Sequence, residues 1–251
     1  MPKRQRHEYA VSEEDRAFVR SLLIHEDPAV LAFDKPAGLP VQTRNPDDRT
    51  LDRLLAAFAR SNGKRPRLVH RIDAQTSGVI VAAKTQPAAA DLSAAFARRD
   101  VAKTYLALAS GPALEPQGAI DVALSRFRPR PELELMRAAR PSDRKPQPAL
   151  TRWRVLGSAG AVHLVELTPE TGRMHQLRAH LSIAGWPILG DPYYGGAATL
   201  KGAPVGRLML HAHTLDLPHP GGGRLKLKSP PPKDFLLVLS VAGIDMALRL
   251  E

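Results

Sequence analysis

The chain has 251 residues, 43% of them hydrophobic, enough to bury a sizeable core and to exclude a globally disordered protein. It carries 36 Lys and Arg against 25 Asp and Glu, a formal charge of +11 with a pI near 10.3. That balance favours a polyanionic partner, nucleic acid ahead of an anionic membrane. Cysteine is absent, which excludes disulfides, iron–sulfur clusters, thiolate zinc sites and a cysteine nucleophile.

In chain order, residues 1–11 are polar and basic and read as a tail, without the apolar stretch of a signal peptide. No run approaches the ~18 apolar residues of a membrane span. With the lack of cysteine, the expectation is a soluble, cytoplasmic protein. Ser12 before Glu13, Glu14 and Asp15 predicts a capped helix running to about Leu23. Residues 29–34 read as a strand, and 35–43, punctuated by Pro36, Gly38 and Pro40, as a loop. Thr50 caps a second helix whose Leu51, Leu54, Leu55 and Phe58 share a face. Val79–Ala83 has the unbroken apolar pattern of a strand buried on both sides. A helix over 87–99 opens with Pro87.

Strand-like segments follow at 103–109, 119–124, 150–156, 161–167 and 207–217. Between the second and third, residues 126–149 are rich in Arg and Pro and predict a long hairpin or a surface insertion. Residues 173–184 suit a helix ending at Gly185. Strands in the middle, helices at the ends and no βαβ alternation predict an α+β fold with a largely antiparallel sheet.

The stretch HRIDAQTSGVIVAAK, residues 70–84, holds the first candidate chemistry. Asp73 follows His70, Arg71 and Ile72 at the entrance to the apolar strand. Before Thr-Ser-Gly it could simply be a turn former. Beside an arginine it could instead be an ionised carboxylate, able to attack an electrophilic carbon or stabilise a developing cation. In the helix over 173–184, Met174, Leu177, Leu181 and Ala184 form a core stripe. His175, Arg178 and Ser182 share a neighbouring face, and Arg173, Gln176 and His180 a third. Arg178 lies at the edge of the stripe, where a guanidinium needs a carboxylate partner; Asp73 is the sharp candidate and any surface acid the bland one. Tyr105 interrupts an aliphatic strand as a core tyrosine or as a ring that stacks on a planar substrate. His175, His180, His211, His213 and His219 raise a metal site. The five-residue step from His175 to His180 and the missing acid between them do not match a zinc helix, so structural or RNA-contacting histidines fit better.

Together these segments resemble the RluA-type pseudouridine synthases. HRIDAQTSG (70–78) is similar to the family's HRLD-x-x-TSG block, with Ile72 in place of Leu. AFDKPAGLPV (32–41) resembles its NKPxGLxV loop, and KTYLAL (103–108) its K-x-Y strand. TGRMHQLRAHL and GWPILGDPYYG, within 171–195, resemble TGRxHQIRxHL and GxPIxGDxxYG. LHAHTLDLPHP (210–220) and SPPPKDF (229–235) resemble the C-terminal strand and tail. The blocks keep the family's order from about residue 27 to 236.

The resemblance implies a pseudouridine synthase catalytic fold: a mixed, mostly antiparallel sheet in two halves around a central basic cleft, with helices outside. Residues 1–24 would be a short basic extension and 25–251 the catalytic domain, with no separate RNA-binding module ahead of it. The implied catalytic set is Asp73, which acts on the glycosidic bond of a uridine; Tyr105, which stacks on the base; and Arg178, which orients Asp73. Arg71 is implied to enter the RNA stack vacated by the flipped uridine. His70, Thr76, Arg173, His175 and Lys35 are expected to contact substrate or RNA. The N1–C1′ bond breaks and the uracil turns and rejoins through C5. Asp73 either adds covalently to sugar or base, or assists proton removal from the ribose. No metal or other cofactor is implied, the partner is an rRNA or tRNA stem-loop, and a monomer is expected. Two rivals remain: a non-catalytic RNA-binding protein on the same scaffold, and a metal-dependent hydrolase built on the histidines.

Overall fold

The computed structural model describes residues 11–43, 45 and 47–245, so most of the expected basic tail lies outside the described residues. The elements run α1 (Glu13–Ser21), β1 (Leu23–Glu26), β2 (Val30–Lys35), α2 (Leu51–Leu54) with a 3₁₀ turn over Leu55–Phe58, β3 (Arg67–Leu68), β4 (Ser77–Ala83) and α3 (Gln86–Ala97). They continue with β5 (Ala102–Ser110), β6 (Gln117–Asp121), β7 (Leu124–Arg130), β8 (Leu133–Ala138), β9 (Leu150–Ala159), β10 (Val162–Pro169) and α4 (Gln176–Ile183). The C-terminal part holds β11 (Thr199–Leu200), β12 (Ala203–Pro204), β13 (Leu210–Pro218), β14 (Arg224–Lys228) and α5 (Lys233–Ala242).

Local chemistry explains the helix starts. The Ser12 hydroxyl accepts from the Asp15 amide at 3.1 Å, and Thr50 and Thr85 cap α2 and α3 in the same way. Leu51, Leu54 and Leu55 are fully buried, as their shared face requires. Val19 of α1 is also fully buried and belongs to the core of the first half of the sheet. Packed structure therefore begins within the expected extension, ahead of residue 25.

The main sheet has the strand order β1-β2-β4-β13-β5-β10-β9-β6, with β3 paired to β4 and β14 to β13. Its pairings are antiparallel except one, β4 with β13, where Ser77 meets His211 and Gly78 meets Ala212. Two apolar cores flank this centre. One gathers Phe33, Ile80 and Leu92 around β2 and β4; the other gathers Leu106, Leu164, Leu181 and Phe235 around β5 and β10. Tyr105 packs against both.

Gly78 is what allows the two halves to close at the centre. Its φ is +111°, and a Cβ added there would lie 2.1 Å from the Ala212 carbonyl oxygen. His211 then reaches across: its Nδ1 lies 3.0 Å from the Ser77 hydroxyl and its Nε2 2.9 Å from the Ser229 carbonyl. Because that carbonyl can only accept, Nε2 carries the proton and Nδ1 accepts from Ser77.

The Arg/Pro-rich segment forms a hairpin, β7 with β8, in a small sheet of its own. Its Leu135 and Met136 pack with Ala179 of α4 and with Tyr194. Other expectations change. The strand read at 119–124 is broken, since β6 ends at Asp121 and β7 starts at Leu124. The tail after Ser229 contains α5, driven by the helical spacing of buried Phe235, Val238, Leu239 and Ala242. The helix read from residue 173 begins only at Gln176, because His175 adopts a left-handed conformation with φ 48°.

We predict that Gly78→Ala lowers stability by more than ~3 kcal/mol in urea melts, since strain and a backbone clash coincide. Gly160→Ala, at φ +57° with open space around it, should cost only ~1 kcal/mol of strain. Equal costs would show that the close approach at Gly78 is unimportant.

Candidate active site

Asp73 lies in a tight turn just before β4. The Thr76 amide donates to the Asp73 carbonyl at 3.1 Å and closes the turn. From the other side, the buried Lys35 ammonium donates to the carbonyls of Pro36, Leu39 and Ala74 at 2.8, 2.9 and 3.0 Å. The Gly38 amide also donates to the Ala74 carbonyl, at 2.8 Å. The KPAG loop is thereby fastened to the residue next to Asp73. Burial draws the Lys35 pKa down to about 7, and the Asp73 carboxylate opposes that shift.

Arg178 on α4 is 4% exposed. Its Nε and Nη2 donate to the two carboxylate oxygens of Asp191 at 2.7 and 2.9 Å, a fork-to-fork pair. Its Nη1 lies 3.4 Å from Oδ2 of Asp73. Burial works against the guanidinium charge, but the Asp191 bonds and charge, followed by Asp73, raise its pKa above the ordinary value. The expected contact between Arg178 and Asp73 is present, yet the stronger partner is Asp191, to which the sequence reading gave no role. The Gly-Asp-Pro stretch before two tyrosines carried that residue in plain sight.

His175 completes the cluster. Its Nε2 is 3.9 Å from Asp73 Oδ2, and its Nδ1 is 3.1 Å from the Tyr194 hydroxyl. Tyr194 Oη accepts from the Met136 amide at 2.9 Å, which leaves its own hydrogen free for His175 Nδ1. In that arrangement Nε2–H faces Asp73. Burial holds the His175 pKa below its usual value, with Asp73 pulling upward and Arg178 downward. Tyr105 stands in β5 opposite Ala212 of β13 and Leu167 of β10. Burial, then the Asp73 charge, pushes its phenol far above the usual range, so it stays protonated.

Three of the residues expected to contact RNA also carry structural bonds. His70 Nε2 accepts from the Val81 amide at 3.0 Å and its ring stacks on Phe96 at 4.5 Å between centroids. Burial drops its pKa to about 3, and the ring braces the edge of β4. Thr76 is buried and acts through its amide. Lys35 is fully buried, its three donors spent on carbonyls. By contrast Arg71 is exposed beside Asp73 in the chain. The Arg173 side chain is half-buried and donates from Nε to the Pro148 carbonyl at 3.0 Å.

The helix face shared by Gln176 and His180 is enclosed. Both are buried, because strand β9 covers that side of α4. Gln176 Nε2 donates to the Leu150 carbonyl and to Thr151 Oγ1 at 3.0 Å, and His180 bonds Thr151 Oγ1 and the Val122 carbonyl. His211 and His213 both bond the Ser229 carbonyl. These histidines have structural partners, and among the described residues no cluster of three metal-ligating side chains occurs.

Asp73, the buried Arg178 and Tyr105 thus gather at the centre of a mixed, mostly antiparallel sheet. The sequence profile of the RNA pseudouridylate synthase family matches residues 29–183, and the chain belongs to that family. An uncharacterised RNA pseudouridine synthase of Zymomonas mobilis is 35% identical, over 83% of this chain and 93% of its own. The ribosomal large subunit pseudouridine synthase D of Pseudomonas aeruginosa is 36% identical, over 89% of this chain and 72% of its own. The solved structure of human RNA pseudouridylate synthase domain containing 4 superposes with a TM-score of 0.76 at 28% identity, covering 93% of this chain and 98% of that one. The protein is thus an enzyme that isomerises uridine to pseudouridine in RNA.

Replacing Tyr194 by Phe should leave the buried Met136 amide without an acceptor and cost ~1–3 kcal/mol. Urea melts should show that loss, and hydrogen exchange should show faster opening of β8. An unchanged exchange rate at Met136 would remove Tyr194 as the anchor of the hairpin.

Proposed function

We propose that Asp73 is the catalytic carboxylate, that Tyr105 stacks on the target uracil, that Arg178 orients Asp73, and that the substrate is large-subunit ribosomal RNA. The observation that carries this reading is the contact of buried Arg178 with Asp73, Nη1 to Oδ2 at 3.4 Å, with His175 Nε2 3.9 Å from the same oxygen. With Arg178 bonded to Oδ2, Oδ1 is the atom offered to the sugar or base.

The chemistry needs a base that can leave, turn and return. Cleavage of N1–C1′ gives a free uracil held against the pocket; its C5 then bonds C1′, and the C5 proton is lost as N1 gains one. Tyr105 suits the holding step, since its ring packs at the centre of the sheet and its phenol stays neutral. A folded RNA must first extrude the uridine, which costs a few kcal/mol. Exposed Arg71 is suited to fill the vacated stack, and the excess of 36 basic over 25 acidic residues supplies phosphate contacts. Relatives named as ribosomal large subunit pseudouridine synthases support the choice of substrate. Acting on ribosomal RNA in turn supports a cytoplasmic location, and no helix among the described residues is long and apolar enough to cross a membrane. The chain acts as a monomer in this reading, since Asp73, Tyr105 and Arg178 all come from one copy.

The test is tritium release from large-subunit rRNA and from tRNA, each labelled at uridine C5. Wild type should release tritium from the rRNA. Asp73→Asn should release none, while RNA affinity stays within about threefold because the phosphate contacts remain. Turnover by Asp73→Asn would overturn the catalytic assignment. Release from tRNA alone would overturn the substrate.

A further inference from the structure

The loop that supplies Asp191 also presents a ring to solvent. Tyr193 is 50% exposed, while its neighbour Tyr194 is buried. Yet the Tyr193 backbone is held firmly: its amide donates to Asp191 Oδ1 at 2.9 Å, the same oxygen that accepts from Arg178 Nη2. The Arg178 guanidinium carbon lies 5.7 Å from the centre of the Tyr193 ring. The ring is therefore fixed one side chain away from Asp73, with its flank open to the solvent from which RNA arrives. Neither the fork pair nor the turn at Asp73 requires an aromatic here, because Asp191 is bonded through the residue's backbone.

Extruding a uridine removes a stacking partner from the bases on either side of it. An exposed, positioned aromatic beside the site offers a replacement surface, and unpaired bases stack on such rings whatever their sequence. We propose that Tyr193 binds an unpaired nucleobase adjacent to the target uridine, and so helps determine which uridines are accepted. This rests on the reading of Asp73 as the reaction centre. The stronger stacking of purines predicts a preference for a purine neighbour.

The experiment uses a synthetic stem-loop RNA from a large-subunit sequence that the wild-type enzyme converts, labelled at uridine C5. It is prepared with the natural neighbouring bases, or with an abasic nucleotide at either neighbouring position. Tyr193→Ala should raise KM by about tenfold with the loss absent from kcat, and Tyr193→Phe should restore wild-type values. One abasic substitution should raise KM similarly for wild type and add nothing further in Tyr193→Ala. An unchanged KM, or an abasic penalty equal in both enzymes, would overturn the proposal. A fall in kcat with unchanged KM would also overturn it, by showing that the ring acts through Arg178. If wild type converts no RNA, the reading of the function fails instead.

Discussion

Everything at the centre of this protein depends on one buried guanidinium. A charge as enclosed as Arg178 costs several kcal/mol unless its donors are met, and Asp191 meets two of them in a planar fork. The fork fixes the plane of the guanidinium, and so fixes where Nη1 points. It points at Asp73. Asp191 is in turn held by the amides of Tyr193 and Tyr194 on Oδ1, at 2.9 and 3.2 Å. That loop can pass only because Gly190 lies where a Cβ would come within 1.9 Å of the Arg207 carbonyl oxygen. A chain of contacts thus runs from the Asp73 carboxylate back to a glycine.

The opposite side of Asp73 is built from the first half of the sheet. Lys35 ties the KPAG loop to Ala74, and the parallel contact of β4 with β13 brings the turn beside Tyr105. Each half alone carries an incomplete site: Asp73 belongs to one, Arg178 and Asp191 to the other. On the proposed reading of Asp73, substitutions at the contact of Gly78 with Ala212 bear on chemistry as well as stability. His211, bonded to Ser77 on one side and Ser229 on the other, serves the same joint.

Much of this was legible in the sequence, because local rules governed those parts. Ser12, Thr50 and Pro87 mark helix starts, β4 is buried on both faces, and the α+β class followed from the order of elements. Residue type alone did not show which polar groups tertiary structure would enclose. Lys35 bonds three carbonyls, His70 a backbone amide with its ring on Phe96, and the Thr76 amide closes the turn at Asp73, none of which residue type reveals. Periodicity placed His180 and Gln176 on one face but does not reveal that β9 covers it. Asp191 escaped because a carboxylate in Gly-Asp-Pro looks like a turn former, and its partner lies 13 positions earlier on a helix. The left-handed His175, which shortens α4, has no signature in the sequence.

The claim that Asp191 sets Asp73 through Arg178 is open to a direct measurement: the single-turnover rate of Asp191→Asn at saturating RNA, with folding checked by melting. A carboxamide offers the fork only one accepting oxygen, so the guanidinium should rotate and release Nη1 from Asp73. The rate should fall by about a hundredfold while RNA affinity holds. A folded Asp191→Asn enzyme that turns over at the wild-type rate would contradict the account.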